Sequence, residues 1–266
     1  MTSYPRLHPD VTLTEGVDVG ELWERFQFFE ALHHHLDIMN PLSADQLDRV
    51  VEAISPSDGL RVMDIGCGHG ELLIRLANRA QIQGLGIDLS PWQANRAAHR
   101  AVEYGVDELL WFWLGDGVET PVDNPWDVVV LLGVSWIWGG FDGTLDALLD
   151  RTVPGGLIVF GDTYLKDPLM RPAAEAAYGP TLTHAEELGR LRAAGVDVLQ
   201  EIQTGPGDWL RYDADRAAGA RQWIDAHPAD QRFADRHEAW SVEHADDHTW
   251  LGWTVWIGRT PAGDSG

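Results

Sequence analysis

Val62-Met63-Asp64-Ile65-Gly66-Cys67-Gly68-His69-Gly70, with Gly86-Ile87-Asp88 behind it, decides the fold. An apolar run ends in an acid, glycines then alternate, and a helix-forming stretch opens at Glu71 and continues to Ala80. A second apolar run ends in Asp88, 20 residues beyond Gly68. The order is strand, glycine turn, helix, and a strand with an acid at its tip. An open α/β sheet grips an adenosine-containing ligand in this way. Residues without a Cβ let the backbone turn sharply and let a ligand lie against it. An acid on the second tip accepts hydrogen bonds from both ribose hydroxyls.

Details of the turn separate two cofactors. The dinucleotide fingerprint G-x-G-x-x-G/A opens its helix on a third small residue, against the pyrophosphate. Here the glycines run G-x-G-x-G, and Glu71 stands where that small residue should be. A carboxylate there repels a pyrophosphate. Asp64, before the first glycine, is equally unsuited to a diphosphate but suits an ammonium. The ligand that fits is S-adenosylmethionine, which has no phosphate and carries an ammonium and a sulfonium. The same acids argue against an NAD-dependent oxidoreductase.

The segment resembles the first motif, D-x-G-C-G-x-G, of class I S-adenosylmethionine-dependent methyltransferases. Further parts of that family's pattern follow in order. Asp88 matches its ribose-binding acid, and Gly115-Asp116-Gly117 is similar to the acid that meets the adenine amino group. Trp126 to Leu132 resembles the fourth strand and Val153 to Phe160 the fifth. The resemblance spans residues 55–203 and a final strand near 248–259. It implies a Rossmann-like α/β fold: a seven-stranded, mostly parallel sheet with helices on both faces and the last strand antiparallel. It also implies S-adenosyl-L-methionine as cofactor, held by Asp64, Gly66, Cys67, Gly68, Asp88, Leu89, Asp116, Gly117, Gly133 and Val134.

The chain has 266 residues, long enough to bury a substantial core as one enzyme domain. Its formal charge is −23, from 42 acidic and 19 basic residues. A surface this negative repels phosphate backbones and anionic lipid, which disfavours nucleic-acid partners. A single cysteine rules out an intramolecular disulfide and fits a cytoplasmic setting. The N-terminus lacks the basic start and apolar stretch of a signal peptide. No apolar run approaches the roughly 18 residues of a membrane span, so no membrane partner is expected.

Four segments are expected. Residues 1–54 form an N-terminal arm, irregular over 1–18, followed by two cap helices. The first uses Leu22, Phe26, Phe29 and Leu32; the second runs from Ala44 to Ile54 behind a Ser43 N-cap. Residues 55–203 form the cofactor-binding core. Strands are expected near 61–65, 82–87, 109–114, 127–132, 156–161 and 196–202, and helices near 70–80, 91–104, 142–151 and 183–194. Thr183 with Glu186 reads as a capping box. Residues 204–247, rich in Trp, Asp and Arg, read as a helical insertion covering the substrate. Residues 248–266 hold the final strand and the tail.

Methyl transfer from a sulfonium is an in-line displacement, so orientation supplies much of the catalysis. A general base is needed only where the acceptor must lose a proton. Asp162 and Tyr164, expected just beyond the fifth strand, are the catalytic candidates; a capping Asp and a packed Tyr are the alternative. Trp136 and Trp138, in the loop after the fourth strand, either wall the acceptor site or pack that loop onto the sheet. His35 is a third substrate candidate. Cys67 reads as a small turn residue, and Asp116 either meets adenine or caps its turn. His33-His34-His35 lie about 100 degrees apart on a helix and cannot all face one ion, so no metal is expected. Most of the thirteen tryptophans must pack the core or the sheet faces; some of Trp209, Trp223 and Trp240 are candidates to roof the substrate pocket, where aromatic walls suit flat apolar or cationic acceptors. The expected activity is methyl transfer to a small molecule. A protein acceptor, or a cofactor-binding sensor without methyl transfer, is the alternative. Oligomeric state is not readable from the sequence.

Overall fold

The apolar runs on either side of the glycine turn become neighbouring parallel strands. A computed structural model describes residues 11–13 and 18–263. The strands are β1 (Val11–Leu13), β2 (Arg61–Ile65), β3 (Gln83–Asp88), β4 (Leu110–Leu114), β5 (Trp126–Leu132), β6 (Thr152–Leu165), β7 (Asp197–Gln203) and β8 (Leu251–Arg259). They form one sheet in the order β1-β4-β3-β2-β5-β6-β8-β7. β8 enters antiparallel between β6 and β7, and the other pairings are parallel. The order reverses at β2, which pairs β3 on one side and β5 on the other. Such a reversal opens a crevice at the carboxyl ends of the strands.

The helices are α1 (Val19–His33), α2 (Ala44–Ile54), α3 (Glu71–Ala77), α4 (Pro91–Glu103), α5 (Phe141–Arg151), α6 (Arg171–Tyr178), α7 (His184–Ala193), α8 (Pro206–Ala226), α9 (Gln231–Glu243) and the short α10 (Asp247–Trp250). Local chemistry fixes where several begin. Ser43 and Gln46 form a reciprocal capping box on α2, and Thr183 and Glu186 do the same on α7. Ser90 caps α4, with Pro91 at the first helical position. Strand alternation sorts the core into two layers. Val62, Val128, Val130 and Val159 pack under α2, α3 and α4. Met63, Ile65, Val129, Leu131, Ile158 and Phe160 pack under α5 and α7. A third cluster of Phe28, Ala31, Leu32, Ala220 and Phe233 joins α1 to α8 and α9.

The structure departs from the sequence reading in three places. Most of the arm expected to be irregular over 1–18 lies outside the described residues, but Val11–Leu13 adds an eighth, edge strand beside β4. The strand expected over 156–161 is much longer. β6 continues to Leu165 because β8 pairs with it as far as Leu165 opposite Leu251. Asp162, Thr163 and Tyr164 therefore lie inside the strand rather than beyond it. α6, which sequence periodicity did not indicate, follows a Pro168–Met170 turn of 3-10 helix. Among the described residues no helix is long and apolar enough to cross a membrane.

Gly219 decides how closely α8 approaches α1. A Cβ there would lie 2.5 Å from the Leu32 carbonyl oxygen and 2.9 Å from that of Ala31, both backbone atoms that cannot step aside. Gly189, inside α7, has nothing within 4 Å of that position. Alanine at an open helical site is expected to stabilise by about 1 kcal/mol, whereas overpacking costs about 1–3 kcal/mol. Gly189→Ala should raise the thermal midpoint and Gly219→Ala should lower it, as scanning calorimetry on the two variants would show.

Candidate active site

β2 carries Asp64 one residue before its end at Ile65, and the chain then turns through Gly66, Gly68 and Gly70 with φ of +72°, +54° and +72°. These left-handed conformations are open to glycine and strained for other residues. The turn is laced to the neighbouring strand. The Gly66 and Cys67 amides donate to the Ile87 carbonyl at 2.8 and 3.0 Å. The Gly68 amide donates to Asp88 Oδ2 at 2.9 Å, and the Ser90 amide donates to Asp88 Oδ1 at 2.8 Å. Asp88 thus ties the tip of β3 to the turn and to the start of α4.

A cavity of about 440 Å³, counting its open mouth, lies over this turn. It is lined by residues 37–40 between α1 and α2, by Asp64, by turn residues 66–69, by Glu71 and Leu72, and by Leu132 at the tip of β5. None of these lining residues is Lys or Arg. Asp64 is 4 % exposed; burial, with Asp88 nearby, pushes its carboxyl up to about 7. Burial also lifts Asp88 to about 6, opposed by its hydrogen bonds from Ser90 and Gly68. Burial beside the same two acids raises the Cys67 thiol, which leaves it unreactive. The set repels a phosphate and accommodates a ligand carrying positive charge and hydroxyl donors.

Glu71 contributes less to that selectivity than its position in the sequence suggests. Arg75 Nε donates to it at 2.6 Å, and the Arg100 guanidinium pairs with its other oxygen. Arg100 is 1 % exposed. Its second nitrogen donates to the His69 carbonyl at 3.0 Å, and it meets Asp37 at 3.1 Å. The charge of Glu71 is neutralised within the protein, so Asp64, with Asp88 nearby, is what a phosphate would meet.

The remaining expected cofactor positions cluster around this centre. Val134 packs against Gly66, so closely that a Cβ on Gly66 would lie 2.6 Å from it. Gly133 lies under Trp253. Gly117 abuts Ile65, and Asp116 accepts from the Val118 amide at 2.9 Å, capping a 3-10 turn at the tip of β4. Leu89 is partly exposed between Asp88 and Ser90. These residues gather on the tips of β2, β3, β4 and β5.

The catalytic and substrate candidates lie apart from the cavity lining. Asp162 Oδ2 accepts from the Ser135 amide at 3.1 Å and Oδ1 from the Thr163 amide at 2.7 Å. Burial raises its carboxyl and those hydrogen bonds hold it down. Its bonds fix the loop after β5. Tyr164 lies across Gly252 and edge-on to His184, 5.3 Å between centroids, with its hydroxyl raised by burial and by Glu201 and Glu187. Trp138 packs on the α5 side of the sheet, with the Arg151 guanidinium over its ring. Trp136 is 55 % exposed at the rim of the β5 loop. His35 is exposed at the end of α1, its ring against His34. Among the described residues no three His, Cys, Asp or Glu side chains converge to hold a metal ion.

Sequence reasoning missed Arg100, His69 and residues 37–40. Arg100 did leave a signal: it interrupts the small apolar face of α4 made by Ala94, Ala97, Ala98 and Ala101. A charge on a buried stripe must have a partner. His69, 2 % exposed, donates from Nδ1 to the Leu36 carbonyl at 2.7 Å and left no such mark.

Residues 62–156 match the family model described as a methyltransferase domain. A solved S-adenosylmethionine-dependent methyltransferase from Thiobacillus denitrificans, in complex with S-adenosyl-L-homocysteine, is 31% identical with a TM-score of 0.78, covering 87% of this chain and 97% of that one. The Geobacter sulfurreducens methyltransferase, also crystallised with S-adenosyl-L-homocysteine, is 29% identical with a TM-score of 0.80 over the same shares of each chain. Trans-aconitate 2-methyltransferase of Streptomyces coelicolor is 28% identical over 245 residues, 82% of this chain and 78% of that protein. With the strand order, the glycine turn and the acids on two strand tips, these likenesses make the chain a member of the class I S-adenosylmethionine-dependent methyltransferases.

Proposed function

We propose that the chain methylates a small-molecule acceptor, with the cofactor lying across the tips of β2, β3 and β5. The buried acid Asp64, on a cavity whose lining holds no Lys or Arg, with Asp88 nearby on the tip of β3, carries this reading. S-adenosylmethionine supplies an electrophilic methyl group on a sulfonium. Asp64 draws the ammonium, Asp88 accepts from the ribose hydroxyls, the turn at Gly66, Cys67 and Gly68 gives the ligand backbone to lie on, and Asp116 stands on the adenine side with Leu89 and Gly117. Gly133 and Val134 border the reacting end.

The acceptor reaches that end between the β5 loop and the helices of residues 204–250. Trp253, which touches Gly133, forms its inner wall, and the exposed Trp136 stands at its rim. Asp162 acts here by fixing the Ser135 backbone, so that catalysis is chiefly orientation. A small acceptor suits a protein of net charge −23 better than a nucleic acid does. Release of S-adenosylhomocysteine on incubation with candidate small molecules distinguishes methyl transfer from cofactor sensing. Turnover only with added protein would instead show a protein acceptor.

Two measurements test the assignment of the site. Isothermal titration should give binding of S-adenosylmethionine and S-adenosylhomocysteine but not NADH. Asp88→Ala should weaken the first two by about 1–3 kcal/mol, the range for lost hydrogen bonds at a buried group; unchanged affinity would refute the ribose role.

Asp64 adds a pH dependence. Its carboxyl titrates near 7 when the site is empty, and an ammonium beside it favours the ionised form. Binding therefore releases a proton below that value, and affinity should rise from pH 6 to pH 8. Calorimetry in buffers of different ionisation enthalpy reads the proton, and Asp64→Asn should diminish both effects, leaving the smaller contribution of Asp88, raised to about 6. The same shift acts on folding. A carboxyl whose folded value lies above its unfolded one contributes stability at low pH that is lost as pH rises through about 7. Asp64→Asn should therefore raise the thermal midpoint of the cofactor-free protein at pH 8 by a few degrees while weakening cofactor binding.

A further inference from the structure

Residues 36–42 leave α1 and cross the mouth of the cavity before α2 begins. Four carbonyls in this strap are held by side chains from elsewhere. Leu36 O accepts from His69 Nδ1 at 2.7 Å. Met39 O accepts from the Tyr212 hydroxyl at 2.9 Å. Pro41 O and Leu42 O both accept from Arg211 Nη2 at 2.9 Å. The core thus pins the front of the strap through His69 and through the Arg100–Asp37 pair, and α8 pins the back. Between the pins Met39 lies against the glycine turn; a Cβ on Gly68 would meet its sulfur at 2.9 Å.

We propose that Tyr212 and Arg211, from a helix none of whose residues lines the cavity, are positioning residues that hold the strap shut over the cofactor and set its rate of release. The inference rests on the cofactor site proposed above.

The Tyr212 pin is built to open. Its hydroxyl also lies 2.8 Å from His33 Nε2, and His33 Nδ1 lies 2.7 Å from the Phe29 carbonyl. A carbonyl only accepts, so Nδ1 carries a hydrogen. Burial pushes the His33 imidazole down to about 3, so it is neutral and Nε2 is a bare acceptor. The single Tyr212 hydrogen therefore has two acceptors, Met39 O on the strap and His33 Nε2 on α1. When it swings to His33 the strap is freed, yet the buried hydroxyl, on a side chain 8 % exposed, is not left unpaired. Opening avoids the penalty that an orphaned buried donor would carry.

The test is the dissociation rate of S-adenosylhomocysteine from the full-length protein, followed by chase, with hydrogen exchange as a second readout. Tyr212→Phe and Arg211→Gln should each speed release by about fivefold, the equivalent of one net hydrogen bond. Exchange should rise across residues 36–42 and not in the sheet. His33→Phe removes the alternative acceptor and should slow release, an opposite sign that a merely structural role would not give. Arg211 is partly exposed, so its variant decides the matter should Tyr212→Phe fold poorly. Unchanged release in Arg211→Gln, with strap exchange also unchanged, overturns the proposal. Asp88→Ala run in parallel separates the two readings: if it too leaves affinity unchanged, the site assignment has failed rather than the strap.

Discussion

One buried guanidinium holds the cofactor end of this protein together. Arg100 comes up from α4 and meets Glu71 at the start of α3, the His69 carbonyl in the glycine turn and Asp37 in the strap. Burying a charge this completely is costly unless every donor finds an acceptor. Here three separate segments are drawn onto the two terminal nitrogens of one side chain. The turn keeps its shape, the helix begins where it does, and the strap crosses at its observed height because each supplies part of what Arg100 requires. Take the cation away and Glu71 becomes a half-buried carboxylate with Arg75 as its remaining partner.

That arrangement divides the acids around the cavity into two kinds. Glu71 is satisfied internally and contributes little field. Asp64 is not balanced by any Lys or Arg among the lining residues, and it and the neighbouring Asp88 are both lifted out of the ordinary carboxylate range by burial. The fold keeps a buried, destabilising carboxyl, Asp64, on the cavity wall. Such local sacrifice of stability is characteristic of binding sites, since a group fully satisfied by the protein has nothing left to offer a ligand.

Much of the fold could be read from the chain because its signals are local. Apolar strands alternate with capped helices, and Ser43, Ser90 and Thr183 cap the helices their sequence context indicates. The glycine turn was legible for the same reason: its conformation is encoded in consecutive residues. Asp162 shows where local reading ends. Nothing beside it reveals that β8, about ninety residues later, pairs past it to Leu165 and makes it an interior strand residue. The strap is the extreme case. Tyr212 and Met39 are separated by 173 residues, and a carbonyl has no sequence signature, so the bond that holds the strap to α8 leaves no pattern to find.

Displacement at a sulfonium makes modest demands on acid–base chemistry and strict demands on geometry. The carboxylates outside the cofactor cavity are used accordingly. Asp162 spends its oxygens on two backbone amides, fixing the loop that carries Gly133 and Val134. Glu187, 2 % exposed, accepts from the Trp256 indole at 2.9 Å and locks α7 to the middle of β8. On the opposite face, α8 reaches over the cavity through Tyr212 and Arg211 without lining it. The strand tips carry the glycine turn and its acids, and the helices between β7 and β8 are joined to the strap through Tyr212 and Arg211.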